Sequence, residues 1–119
     1  MTERPVLQPS AAHPITIAPT GRRVTVTVGG AIIAQTDAAL TLQESTYPAV
    51  QYIPRADVVW ETLTRSAATT YCPYKGEANY YHVGDLEDAV WTYEKPYAAV
   101  AEIADHLAFY PQKADIALA

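Results

Sequence analysis

The first clear pattern along the chain is a strict alternation of apolar and polar positions that begins at Arg22. Arg23-Val24-Thr25-Val26-Thr27-Val28 is followed by Gly29-Gly30 and then by Ala31-Ile32-Ile33-Ala34. Period-two alternation of β-branched residues marks strands with one buried face. Two glycines between such runs mark a two-residue hairpin turn, whose backbone needs positive φ. That turn predicts Val28 opposite Ala31, Val26 opposite Ile33 and Val24 opposite Gln35, with the valines facing the core.

The alternation recurs over residues 39–44, where Leu40, Leu42 and Glu44 share one side. Glu44 is then either carried to the rim of a cavity behind the leucines or left pointing to water at the strand end. Val50-Gln51-Tyr52-Ile53-Pro54 predicts a short edge strand, since Pro54 cannot donate to a ladder. Asp57 stands where it would cap a short helix over residues 58–65.

Residues 78–83 and 87–93 flank Gly84-Asp85 as a second hairpin. A two-residue turn pairs Val83 with Leu86, and hence His82 with Glu87, Tyr80 with Ala89, Ala78 with Trp91 and Gly76 with Tyr93. A four-residue loop sets Tyr80 against Trp91 instead. Both registers leave Tyr80, Trp91 and Tyr93 on a shared face. Pro96, then Tyr97, Val100, Ala101 and Ala104 at helical spacing, predict a helix ending near His106. Residues 107–110 and 114–118 read as two closing strands around Pro111. Residues 1–20 carry Pro5, Pro9, Pro14 and Pro19, which predict an extended arm: loose in solvent, docked on the domain, or crossing a dimer. Residues 21–119 form the single β-rich domain.

Composition narrows the function classes. At 119 residues, half of them hydrophobic, the chain is long enough to bury one core without staples. A net charge of −5 with no Lys or Arg cluster argues against nucleic acid and anionic membranes as partners, because both need a basic face. The apolar runs are far short of a membrane span, and the first residues lack the apolar run of a secretory leader. A cytoplasmic protein is the expectation. One cysteine makes neither an internal disulfide nor a Cys-rich zinc site, so no metal or cofactor is implied.

Candidate chemistry concentrates in Thr70-Tyr71-Cys72-Pro73-Tyr74-Lys75-Gly76 and the strand after it. Cys72 is the obvious nucleophile, since a thiol reacts as its thiolate when a nearby cation stabilises that form, and Lys75 is close. A base for it is missing, because His82, His13 and His106 are all distant in sequence. A lone cysteine is more often a buried, inert side chain. Lys75 is a second candidate, either as a desolvated base or Schiff-base amine or as an ammonium paired with Glu44 or Asp57. Arg55 either pairs with Asp57 or reaches an anionic group in the pocket. Tyr74, Tyr80, Tyr81, Trp91 and Tyr93 are polar-tipped rings that line a ligand wall or simply fill the core.

These residues resemble a known family, the domain of unknown function 427, which also carries a nucleotidyltransferase-like label. The resemblance rests on Glu44, Tyr52-Ile53-Pro54-Arg55-Ala56-Asp57-Val58, the Thr70–Gly76 string with Ala78 and Tyr80-Tyr81, Trp91-Thr92-Tyr93, Pro96 and Leu107-Ala108-Phe109-Tyr110. It implies a mainly β fold of two antiparallel sheets leaning together, similar to the β-tent group, with one or two short helices. Relatives in that group clip their sheets with zinc through paired cysteines, and this chain has only Cys72. No glycine-rich phosphate loop or aspartate pair supports nucleotidyl transfer.

Three functions follow as expectations. The first is a small-molecule-binding domain with aromatic walls and a polar end made by Lys75, Arg55 and Glu44. The second is a transferase, lyase or isomerase using Cys72 or Lys75, with Glu44 or Asp57 as partner. The third is a structural or interaction domain, in which the arm and exposed strand edges support homodimer formation.

Overall fold

A computed structural model describes residues 4–119. The fold is mainly β: the described residues form ten strands in two antiparallel sheets, and their helical structure is limited to short 3-10 segments. The strands are β1 (Ile15–Pro19), β2 (Val24–Val28), β3 (Ala31–Thr36), β4 (Leu40–Glu44), β5 (Val50–Pro54), β6 (Leu63–Cys72), β7 (Gly76–Val83), β8 (Leu86–Thr92), β9 (His106–Phe109) and β10 (Asp115–Leu118). Seven form one sheet in the order β1-β4-β5-β9-β8-β7-β6, and the other three form β10-β2-β3. No helix among the described residues is long and apolar enough to cross a membrane.

The valine face of β2 behaves as the alternation predicts. Val24 and Val26 are buried with Ile33 and Ala34 of β3, and they pack on Ile53, Val90, Leu107 and Phe109 of the large sheet. This is the contact by which the two sheets lean together. The turn holds, with Val28 opposite Ala31, but a bulge then shifts the register so that Val26 faces Ala34 and Val24 faces Thr36. The inserted residue lets Ile33 and Ala34, adjacent in sequence, both reach the core, which strict alternation forbids.

The opposite face of the large sheet carries a second core of Leu42, Tyr52, Ala78, Tyr80, Tyr93, Val100, Ile103 and Ala108. Val100 and Ile103 come from the 3-10 segment Ala98–Ile103, where the periodicity had predicted an α-helix running to His106. Val100 departs from helical angles (φ −128°), so the two turns form separately and His106 already belongs to β9.

Two other expectations are corrected. Strand β5 is interior, between β4 and β9, because Pro54 is its last residue and the donors that the ladder needs lie before it. Residues 58–65 form no helix capped by Asp57. Two 3-10 turns, Arg55–Asp57 and Trp60–Thr62, lead directly into β6, and the Asp57 carboxylate accepts instead from the Thr36 hydroxyl at 2.6 Å. Ile15–Pro19, within the proline-rich arm, pairs with β4 as an edge strand, where a terminal proline disturbs no neighbouring ladder.

The second hairpin combines both predicted registers. Val83 pairs with Leu86 across the tight turn, yet Tyr80 pairs with Trp91. Asp88, at φ 50°, absorbs the difference, and its N–H donates to His82 Nδ1 at 3.0 Å rather than to a strand partner. A short polar side chain tolerates that left-handed backbone better than most.

Candidate functional site

The large sheet curls until its two ends meet. Glu44 closes β4, one strand from one edge, while Lys75 stands in the turn joining β6 and β7 at the other edge. The Lys75 ammonium donates to Glu44 Oε1. Both side chains are largely buried, at 10% and 13% exposure.

Local geometry aims each partner. Lys75 lies in a tight turn in which its N–H donates to Cys72 O at 3.3 Å, and Tyr97 N–H holds its carbonyl at 3.0 Å. Gly76 follows at φ 110°, and a Cβ there would stand 3.4 Å from the Lys95 carbonyl. Only glycine combines that angle with so close an approach. On the other wing, Ser45 turns the chain at φ 48°, its N–H donating to Pro14 O at 2.8 Å while that of Tyr47 donates to Glu44 O at 2.9 Å. This turn brings Tyr47 and Pro48 over the same hollow that Glu44 faces.

A third group completes the polar cluster. His13, just before β1, contacts Glu44 Oε2 through Nε2 at 2.8 Å, and its ring stacks on Tyr74 with centroids 4.2 Å apart and planes 8° from parallel. Burial is the largest single influence on the Glu44 carboxyl and pushes its pKa up. The hydrogen bonds and charges of Lys75 and His13 together outweigh it and hold the group below the ordinary carboxylate value. Glu44 is therefore an anion bridging two basic side chains.

Behind the cluster lies a cavity of about 180 Å³ lined by Leu42, Tyr52, Tyr80, Trp91, Tyr93 and Tyr110, with Glu44 and Lys75 at its polar side. The Tyr52 hydroxyl accepts from Trp91 Nε1 at 3.2 Å, and the hydroxyls of Tyr80 and Thr70 lie 2.7 Å apart. Burial pushes the Tyr52 and Tyr93 phenols well above their ordinary pKa and Tyr110 up to about 12. All three stay neutral donors at any physiological pH.

Glu44, Lys75, Tyr80, Trp91 and Tyr93 thus converge on one cavity, while five other candidates do not line it. Cys72 is half-buried beside it, its sulfur 3.9 Å from Lys75 Nζ. Tyr74 is the stacking partner of His13. Arg55 lays its guanidinium over the Trp60 ring at 4.4 Å, and Asp57 is engaged by Thr36. Arg55 and Asp57 therefore neither pair with each other among the described residues nor reach the cavity, because the turn that carries them faces the small sheet. Tyr81 packs in the inter-sheet core.

Sequence reasoning passed over four groups. Tyr52 was within reach of period-two alternation, two positions from Val50 on β5, and Tyr110 follows Ala108 by two positions just past the end of β9. His13 and Tyr47 had no periodic signal, since both lie in connections placed only by the edge pairing of β1.

No curated protein matches the chain. A family model described as a domain of unknown function (DUF427) matches residues 16–119, a span that takes in β1 from its second residue, the β4 carboxylate, the lysine turn and every ring around the cavity. By that match over nearly its whole length, the chain belongs to the DUF427 family.

Proposed function

We propose that the protein is a small-molecule-binding domain whose site is the cavity inside the curled sheet. The observation that carries this reading is a mostly buried Lys75–Glu44 pair facing a hollow walled by rings. Taking two charges out of water costs several kcal/mol per ion, and an apolar pair of similar volume is often at least as stable. A pair kept beside unfilled space is better explained by a ligand than by packing. A void of about 150 Å³ accommodates benzene, so the roughly 180 Å³ present suits a single ring bearing one polar group.

Isothermal titration with benzoate tests the reading. Saturable binding is expected in the wild type, at least about tenfold weaker in Lys75→Met and in Trp91→Leu, corresponding to about 1.4 kcal/mol. Failure of benzoate to bind, or equal affinity in Lys75→Met, would remove the proposal.

An enzymatic reading is favoured by one further observation, the unbroken run of contacts His13–Glu44–Lys75–Cys72. In it Lys75 is the reactive amine or base of a transferase, lyase or isomerase, with Glu44 as its partner. Incubation with 4-carboxybenzaldehyde and cyanoborohydride discriminates: an imine formed with loss of water is reduced to a stable adduct, mapped by mass spectrometry. Selective labelling of Lys75 supports the enzyme, and labelling no faster than at surface lysines leaves a binding domain.

A further inference from the structure

The cavity shares a wall with a neighbouring hollow. Tyr47, Pro48, Val50, Trp91 and Tyr110 line the cavity and also line this second, larger hollow of about 480 Å³. That hollow is a groove between the sheets, continuing past Phe109 to Ile116 and Leu118 of β10. Among the described residues its walls are mainly apolar and carry no acidic or basic side chain. Trp91 and Tyr110, with ring centroids 4.5 Å apart, form the shared partition. The polar cavity and the apolar groove are therefore adjacent and chemically distinct.

The polar end also specifies what it takes. Among the described residues no protein group hydrogen-bonds the hydroxyl of Tyr93, a ring that lines the cavity with Lys75 Nζ 5.9 Å from its centroid. The neutral phenol can donate as well as accept, and the ammonium shared with Glu44 keeps further N–H donors, so both can donate to an accepting group.

We infer that the ligand is an elongated amphipathic molecule, with a hydrogen-bond-accepting carbonyl or carboxylate head at Lys75 and Tyr93, a ring or equivalent flat body against Trp91, and an apolar tail in the groove along Ile116 and Leu118. This rests on the cavity being a binding site and adds the class of molecule that fills it. An occupant from a second copy of the chain would cover only the groove and would not account for the cavity beside Lys75.

The test compares benzoate with 4-ethyl-, 4-butyl- and 4-hexylbenzoate by titration calorimetry. Burial of each added methylene should tighten binding about three- to fourfold until the groove is filled. Leu118→Gln should flatten that series while leaving benzoate itself unchanged. Ala49→Trp, a substitution at an exposed groove position, should do the same by filling the groove, so the outcome does not hang on one variant. Benzoate binding with no gain from the alkyl chain would overturn the amphipathic ligand and leave the cavity reading intact. Failure of benzoate as well would overturn both. Sedimentation velocity run alongside identifies the remaining occupant: a dimer split by Leu118→Gln would assign the groove to a second copy and overturn the inference.

Discussion

Glu44 and Lys75 are 31 positions apart in the chain and sit on opposite wings of one sheet, yet their side chains share a hydrogen bond. The contact is a clasp: it can form only when the sheet curls, and it joins the two wings where the second core meets the cavity. Removing either partner leaves the other charge largely buried. Lys75→Met should cost about 3 kcal/mol, the usual penalty for an uncompensated buried charge. Lys75→Met combined with Glu44→Leu should recover most of that loss, because the desolvation penalty goes with both ions. Urea midpoints of the two single variants and the double variant measure the recovery, and additive losses would contradict the clasp.

The same carboxylate sets a pH dependence. Its folded-state pKa lies below the ordinary value, so the folded protein holds that proton less tightly than the unfolded chain does. The resulting stabilisation is complete above the ordinary carboxylate pKa and fades as pH falls through the folded one. Wild-type and Glu44→Gln proteins should therefore differ most in melting temperature near neutral pH and converge in acid. Glu94, lowered in the same direction chiefly by its hydrogen bond with Arg65, contributes to the acid limb in both proteins and cancels in the comparison. A constant gap down to strongly acid pH would argue that Glu44 acts by packing alone.

His13 ties the proline-rich arm to the site by two separable contacts, the stack on Tyr74 and the bond to Glu44. The arm has further moorings in Leu7 N–H to Pro73 O at 3.0 Å and Tyr71 hydroxyl to Pro5 O at 2.6 Å. His13→Phe keeps a stacking ring and loses the bond, while His13→Ala loses both. A hydrogen bond to a charged group contributes about 1.5–3 kcal/mol, so His13→Phe should lose roughly that amount and His13→Ala somewhat more. Thermal denaturation of the two variants reads the difference. No change in either would mean that the arm does not hold Glu44.

What could be read before folding was whatever repeats locally. The valine face of β2, the diglycine turn and the shared face of Tyr80, Trp91 and Tyr93 all express the two-residue period of an extended backbone, which each strand obeys on its own. The bulges at Val26/Thr27 and at Asp88 could not be read that way. A bulge is settled by what each side chain finds on the partner strand and in the core, and the sequence of one strand carries no record of its neighbour's depth. For the same reason Pro54 misled: a proline ending an interior strand and one lying on an edge look identical in a run of five residues.

The chain's own order of residues determined an antiparallel β protein with an aromatic-rich strand following a Cys-Pro-Tyr-Lys-Gly turn, because alternation and turn chemistry act over a few positions. Tertiary structure alone decided that Lys75 meets Glu44 and not Asp57, that Arg55 is turned away onto Trp60, and that His13 returns from the arm to complete the cluster. Those choices depend on how far a seven-stranded sheet curls. That curl is a sum of twists and bulges over many strands, each too small to be legible where it is encoded.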